Sequence, residues 1–272
     1  GTHKTRHRPS FLHWIVHHRF PSSDLHTLSV VRFWPENPRV FVMKRIRVHF
    51  HKSCISAVSG IDALVTSSNL NLSGNLNGSY WRFSGRPNVN GVVHDLGGPQ
   101  LAQEIAKIVP DVATRCPVGH AVVTPATGNL NSRFVVHCVA PDGLYGQQAD
   151  PYLLQKTYAS SWKAALDVGA RGVVAPAIGC GIQGWRPADS MKAAMASLQV
   201  FASQDLDNCQ ERSILDDFHF ALPDNQVWRT WCKLAPRWLD ELNATPGSHT
   251  ALYLLKPSDD EADNAACSET CI

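Results

Sequence analysis

From residue 39 onward, short apolar runs alternate with segments whose apolar residues recur every three to four positions, and this alternation restricts the fold most. RVFVM and RIRVHF (39–50), IDALVT (61–66), HAVVT (120–124), FVVHCVA (134–140), GVVAPAI (172–178) and FHFAL (218–222) read as strands. Between them, Leu101, Ile105 and Ile108 stripe a helix over 99–109, and Leu154, Tyr158, Trp162 and Leu166 stripe one over 151–168 that Gly169 caps. Met191, Met195, Leu198 and Ala202 line a helix that opens at Pro187, where a missing N–H is harmless. A last helix follows Asp224 and carries Val227, Trp231, Leu234, Trp238 and Leu242 on one face. Strand–helix alternation predicts an α/β fold of three layers, α/β/α, with a mixed, mostly parallel sheet covered on both faces.

The 272 residues are 44% hydrophobic and 18% charged, which excludes a disordered chain. No run approaches the roughly 20 apolar residues of a membrane span, and the N-terminal GTHKTRHRPS lacks the apolar run of a secretory signal. The eight cysteines are scattered and form no CxxC pair, so reduced thiols in a cytoplasmic or nuclear, intracellular protein are expected and a zinc ribbon is not. Charge is lopsided: residues 1–52 carry ten Lys/Arg against Asp24 and Glu36, while 240–272 carry seven acids against Lys256. We therefore expect a basic N-terminal extension (1–38), an α/β domain (39–243) and an acidic, polar tail (244–272).

Residues 176–187, PAIGCGIQGWRP, pass through Gly179, Gly181 and Gly184 between a strand and a helix N-terminus. In open α/β sheets ligands lie beyond the carboxyl ends of the strands. Bare backbone there lets N–H groups close around a phosphate, and the following helix dipole favours its charge. The spacing matches neither GxGxxG nor the Walker pattern, and no lysine is present to grip phosphates, which disfavours Mg-ATP chemistry.

Four segments in order, IDALVTSSN (61–69), VNGVVHDLGGPQL (89–101), CPVGHAVVTPATGNLNSRFVVHCVAP (116–141) and PAIGCGIQGWRP (176–187), resemble the macrodomain family, the ADP-ribose-binding module. They echo its DAIVNAAN, VDGAIHRAAGP, CxTGxAxxTxGYxLPxxxVIHTVGP and PAISTGxxGYP. The likeness runs from about residue 46 to 242 and implies a macrodomain-like fold with a six- or seven-stranded sheet and a cleft at its crest. By the same resemblance, Asn69 holds the distal ribose. Val89, Asn90 and Gly91 end the first phosphate loop, and Gly179, Cys180, Gly181, Ile182, Gln183 and Gly184 form the second.

The departures carry chemistry too. Thr66 replaces the first Asn of NAAN, and Asn90 stands where hydrolytic members carry a catalytic Asp; an amide cannot take a proton from water. The adenine-recognising Asp falls near Cys54 and Ile55, Gln183 replaces an aromatic beside the distal ribose, and Trp185 follows at the next aromatic position. The insert 70–88 holds Tyr80, Trp81, Phe83, Arg82 and Arg86 and reads as a lid or as a surface excursion.

Three further signals fall away. HCVAPDGL (137–144) begins like the phosphatase signature HCx₅R, but Leu144 occupies the arginine position. Cys180 lies near a helix N-terminus, where a thiol pKa can drop, yet its position matches a packing residue of the family. His13 and His17 have helical metal-pair spacing without a third ligand.

The expectation is a divergent macrodomain that binds ADP-ribose or ADP-ribosylated protein, with no cofactor or metal and no membrane. Asn69 and Asn90 are the candidate catalytic pair for weak hydrolysis of ADP-ribosyl esters or O-acetyl-ADP-ribose. The alternatives are a module that uses its basic N-terminal region to bind a polyanion, RNA or poly(ADP-ribose), and a phosphatase acting on phosphorylated ADP-ribose.

Overall fold

A computed structural model describes residues 39–43, 46–74, 88–108, 114–143, 149–203, 215–244 and 252–254. The chain divides into a unit of residues 1–31 and a unit of residues 32–272, and all described residues fall in the second. The basic extension with His13 and His17, and Tyr80, Trp81, Arg82, Phe83 and Arg86 of the insert, lie outside the described residues.

The strands are β1 (Arg39–Met43), β2 (Ile46–His51), β3 (Ala63–Ser67), β4 (Ala121–Pro125), β5 (Phe134–Cys138), β6 (Gly172–Pro176), β7 (Asp217–Ala221) and β8 (Leu252–Leu254). They form one sheet in the order β4-β5-β3-β6-β7-β2-β1-β8. The five central strands from β5 to β2 run parallel, and the outer pairs β4–β5, β1–β2 and β1–β8 are antiparallel. The sheet is thus mixed and mostly parallel, as expected. It has eight strands rather than six or seven, because β8 pairs with β1 beyond the boundary expected at residue 243.

Alternate residues supply two cores. Val65, Val136, Val173, Ala175, Phe218, Phe220 and Phe50 face α2 (Pro151–Asp167), α3 (Pro187–Ser203) and α4 (Asn225–Ala244). Leu64, Val135 and Val174 face the other way, against α1 (Val89–Ala106) and the short 3₁₀ helix Ile55–Ala57. This is the three-layer arrangement that strand–helix alternation requires. Asp150 caps α2 through the N–H groups of Tyr152 and Leu153 at 2.9 and 3.3 Å, and Pro151 fills the first helical position. Asp224 caps α4 in the same way, and Gly169 (φ 72°) ends α2 in the left-handed conformation. No helix among the described residues is long and apolar enough to cross a membrane.

α1 begins ten residues before the helix read from periodicity. It kinks at Gly98 (φ 65°), just before Pro99, which cannot donate to the preceding turn. The carbonyls freed there are recaptured by the β4–β5 connection: the Thr127 hydroxyl donates to Gly97 O at 2.7 Å and the Asn129 N–H to Leu96 O at 2.7 Å. Between them Gly128 has φ 61°, and a Cβ there would stand 2.3 Å from Leu96 O, so only glycine lets the two backbones meet.

Candidate ligand-binding site

β3 and β6 are adjacent and parallel, with Ala63 opposite Val173 and Leu64 opposite Val174. The loops that leave their carboxyl ends, 68–74 and 177–186, therefore emerge side by side at one edge of the sheet. That is where a doubly covered α/β sheet places its ligands.

The 177–186 loop is propped from below. The Tyr158 hydroxyl, fully buried, accepts from the Ile178 N–H at 2.8 Å and pairs with the Ser190 hydroxyl at 2.8 Å, while Ser190 donates to Ile178 O. Trp185 is only 5% exposed, and its indole N–H donates to Pro141 O at 2.8 Å. Its ring lies against Gly179 (φ 84°) and Gly143, where an added Cβ would come within 2.6 and 2.8 Å of Trp185 Cδ1. Trp185 thus supports the loop from inside. Gly143 N donates to Gln183 O at 2.7 Å and ties the β5 exit to the same loop.

Within the loop, the N–H groups of Cys180, Gly184 and Trp185 donate to Ala177, Gly181 and Gly179 carbonyls. Those of Gly179, Gly181, Ile182 and Gln183 donate to no acceptor among the described residues. Gly181 is open: a Cβ there would meet nothing within 4 Å. The Cys180 thiol is pushed up to about 11 by burial, opposite to the depression that a helix N-terminus can produce, so a nucleophilic thiolate is ruled against.

On the first loop, Asn69 is exposed and its amide donates to the Ser73 hydroxyl at 3.1 Å. The Asn71 side chain accepts from Ser73 N and Oγ, and Leu72 (φ 59°) plugs the turn into the core under α1. Asn88 caps α1 by accepting from Gly91 N at 2.7 Å, which occupies that amide. Asn90 is buried, and its Oδ1 accepts from Ser68 Oγ at 3.1 Å and Thr66 Oγ1 at 3.4 Å, leaving Nδ2 without a partner. Thr66 and Asn90, two of the departures from the family pattern, are therefore joined to each other. In either orientation the Asn90 amide offers no base. Val89 is half-buried against the α1 core, Ile55 is a core residue, and Cys54 is half-buried with its sulfur accepting from Ser56 Oγ at 3.3 Å.

Beneath this loop lie two histidines, His94 on α1 and His137 on β5. A Cβ at Gly74 would stand 2.5 Å from His94 Cγ, so the loop backbone packs on that ring. His137 is fully buried, with Nε2 3.0 Å from Thr124 Oγ1 and Nδ1 unpartnered. Burial, reinforced by His94, lowers the His137 pKa to about 3, against an unfolded value of 6.5. A histidine depressed on folding adds full stability above its unfolded pKa, and that contribution is lost as pH falls from 6.5 toward 3. Between pH 6.5 and 5 the loss is about 2 kcal/mol. Denaturant unfolding at pH 7 and pH 5 is expected to show that much excess acid sensitivity over a His137→Gln variant; equal slopes would assign the sensitivity elsewhere.

An α/β/α sandwich with glycine-rich and asparagine-bearing loops side by side at the strand ends places a candidate ligand site at that edge of the sheet. Comparison with known proteins gives its family. The Macro domain family model matches residues 77–194. A macro domain-containing protein of Vibrio parahaemolyticus is 34% identical over 154 residues, spanning 54% of this chain and 82% of that protein. The O-acetyl-ADP-ribose deacetylase of Citrobacter koseri is 30% identical over 196 residues, 72% of this chain and 98% of the enzyme. The Oceanobacillus iheyensis macrodomain solved with ADP superposes with a TM-score of 0.61 at 15% identity, covering 74% of this chain and 97% of the other. The Trypanosoma brucei macrodomain solved with ADP-ribose gives 0.54 at 22% identity, covering 69% and 68%. The chain belongs to the macrodomain family.

Proposed function

We propose that the protein binds ADP-ribose, free or attached to a protein, with its diphosphate on the 177–186 loop and its distal ribose at Asn69. One observation carries the reading: four loop amides, those of Gly179, Gly181, Ile182 and Gln183, have no acceptor among the described residues, while the loop around them is fixed by Tyr158, Ser190 and Trp185. Unclaimed donors next to the N-terminus of α3 suit an anion. The relatives named O-acetyl-ADP-ribose deacetylase and the neighbours solved with ADP or ADP-ribose fit the same ligand.

Asn90 sets the second half of the reading. Its carboxamide is engaged with Ser68 and Thr66 and cannot accept a proton, so binding without efficient hydrolysis is the function we assign. The five described cysteines are free thiols, which suits the intracellular setting we propose with it.

Calorimetric titration with ADP-ribose beside ADP, ATP and NAD tests the binding. ADP-ribose is expected to bind one-to-one and at least tenfold tighter than ATP; equal affinity for all four would reduce the site to a generic phosphate loop. Incubation with O-acetyl-ADP-ribose tests the rest, and brisk turnover abolished by Asn69→Ala would make the protein a hydrolase.

A further inference from the structure

Away from the two loops, β2 and β7 place five polar side chains on one face of the sheet. The parallel register sets Arg47 opposite Asp217 and His49 opposite His219, with His51 next along β2. His49 and His219 are 3% and 5% exposed, while Asp217 remains partly open. Asp217 Oδ1 is shared: it lies 2.6 Å from His49 Nε2 and 3.3 Å from His219 Nε2. Arg47 takes the other carboxylate oxygen at 3.2 Å and reaches Asp216 at 3.4 Å.

These contacts leave the cluster incompletely satisfied. Although His49 Nε2 and Asp217 Oδ1 are close, they share no hydrogen bond of ordinary geometry. His49 Nδ1 is also buried, without a partner among the described residues. A nearly fully buried imidazole with its Nδ1 unpaired is costly to a fold. Its cost falls if one nitrogen binds an ion.

We infer that His49, Asp217 and His219 form a binding site for one divalent transition-metal ion of the zinc or cobalt class. The donor set of two imidazoles and a carboxylate matches the ligand chemistry of such ions. One ligand atom from each residue lies within 4.8 Å of the others. Metal–ligand bonds of about 2.0–2.2 Å in a tetrahedral site hold ligand atoms roughly 3.3 Å apart, so small shifts suffice. The largest is in the rings: His49 and His219 are stacked with centroids 4.2 Å apart and planes 4° apart, and must swing about χ2 to bring an ion into both planes.

Charge and outer partners agree with the assignment. Arg47, Asp216 and Asp217 sum to one negative charge, which a dication would reverse. His51 Nε2 lies 2.8 Å from His219 Nδ1, and a neutral His51 can accept the Nδ1–H of a metal-bound His219. That is the outer hydrogen bond metal-ligating histidines use to fix their tautomer. Three protein ligands leave a fourth position for water or another group. The ion would pin β2 to β7 across a pairing formed by residues about 170 positions apart. The inference is independent of the ADP-ribose reading.

Titrating the full-length, chelator-stripped chain with CoCl₂ and then ZnCl₂ tests it. One equivalent of cobalt is expected to give the intense visible absorption of a low-coordinate nitrogen–oxygen site, and zinc to abolish it. His49→Gln, His219→Gln and Asp217→Asn are each expected to weaken binding at least tenfold, whereas His13→Ala/His17→Ala leaves it unchanged. X-ray absorption of the zinc-loaded wild type, which needs no variant to fold, is expected to show nitrogen and oxygen neighbours with two imidazoles. Absence of saturable binding, sulfur neighbours, undiminished binding in folded His49→Gln and His219→Gln proteins, or loss of binding on removing His13 and His17 would each overturn the assignment.

Discussion

Gly179→Ala is expected to destabilise the protein by about 1–3 kcal/mol and to weaken ADP-ribose binding at least tenfold. Gly179 has φ 84°, a region that an L side chain occupies only with strain, and its new methyl would stand 2.6 Å from Trp185 Cδ1. Trp185 has little room to yield, because its indole is tied to Pro141 O and its other side meets Gly143. The loop itself must therefore shift, and with it the four amides that have no acceptor among the described residues. Gly181→Ala is the matched control: that site is open and lacks positive φ, so near-wild-type stability is expected. Urea unfolding and calorimetry on both variants check the pair. Wild-type affinity in Gly179→Ala would mean that the diphosphate does not sit on this loop.

Trp162→Ala is expected to cost about 3–5 kcal/mol, enough to unfold much of a domain of ordinary stability. Trp162 is fully buried at the meeting of α2, α3 and the sheet, edge-on to Phe218 at 5.2 Å and to Phe220 at 5.9 Å. Its indole N–H donates to Ser197 Oγ at 2.9 Å, and Ser197 in turn donates to Ala194 O. Removing the ring leaves a large void and an unmatched hydroxyl lone pair. Trp162→Phe keeps most of the apolar bulk, and its loss should stay near 1–2 kcal/mol. Thermal unfolding distinguishes the two; equal losses would assign the effect to the hydrogen bond rather than to packing.

Much of this architecture is written locally. Asp150–Pro151, Gly169, Pro187 and Asp224 mark helix ends because capping depends on a few neighbouring atoms. Where order depends on distant partners, local reading stops short. The first half of α1 went unmarked because Gly97-Gly98-Pro99 interrupts its apolar stripe, and the kink survives through Thr127 and Asn129 some thirty residues on. Three-residue β8 is too short for a periodic signal and exists through pairing with β1. In the candidate site, glycine spacing exposed the 177–186 loop, yet burial of Trp185 depends on Pro141, 44 residues away. His49 and His51 on β2 and His219 on β7 look like ordinary polar strand positions until the register aligns them.

The scaffold beneath the 177–186 loop has a thermodynamic consequence. Tyr158, Ser190 and Trp185 anchor its backbone before any ligand arrives. Association then requires no coupled folding of that segment, and its heat-capacity change should reflect only the surface that the ligand itself covers. The protein should behave toward its ligand as a rigid mould, quick to engage and sparing in rearrangement.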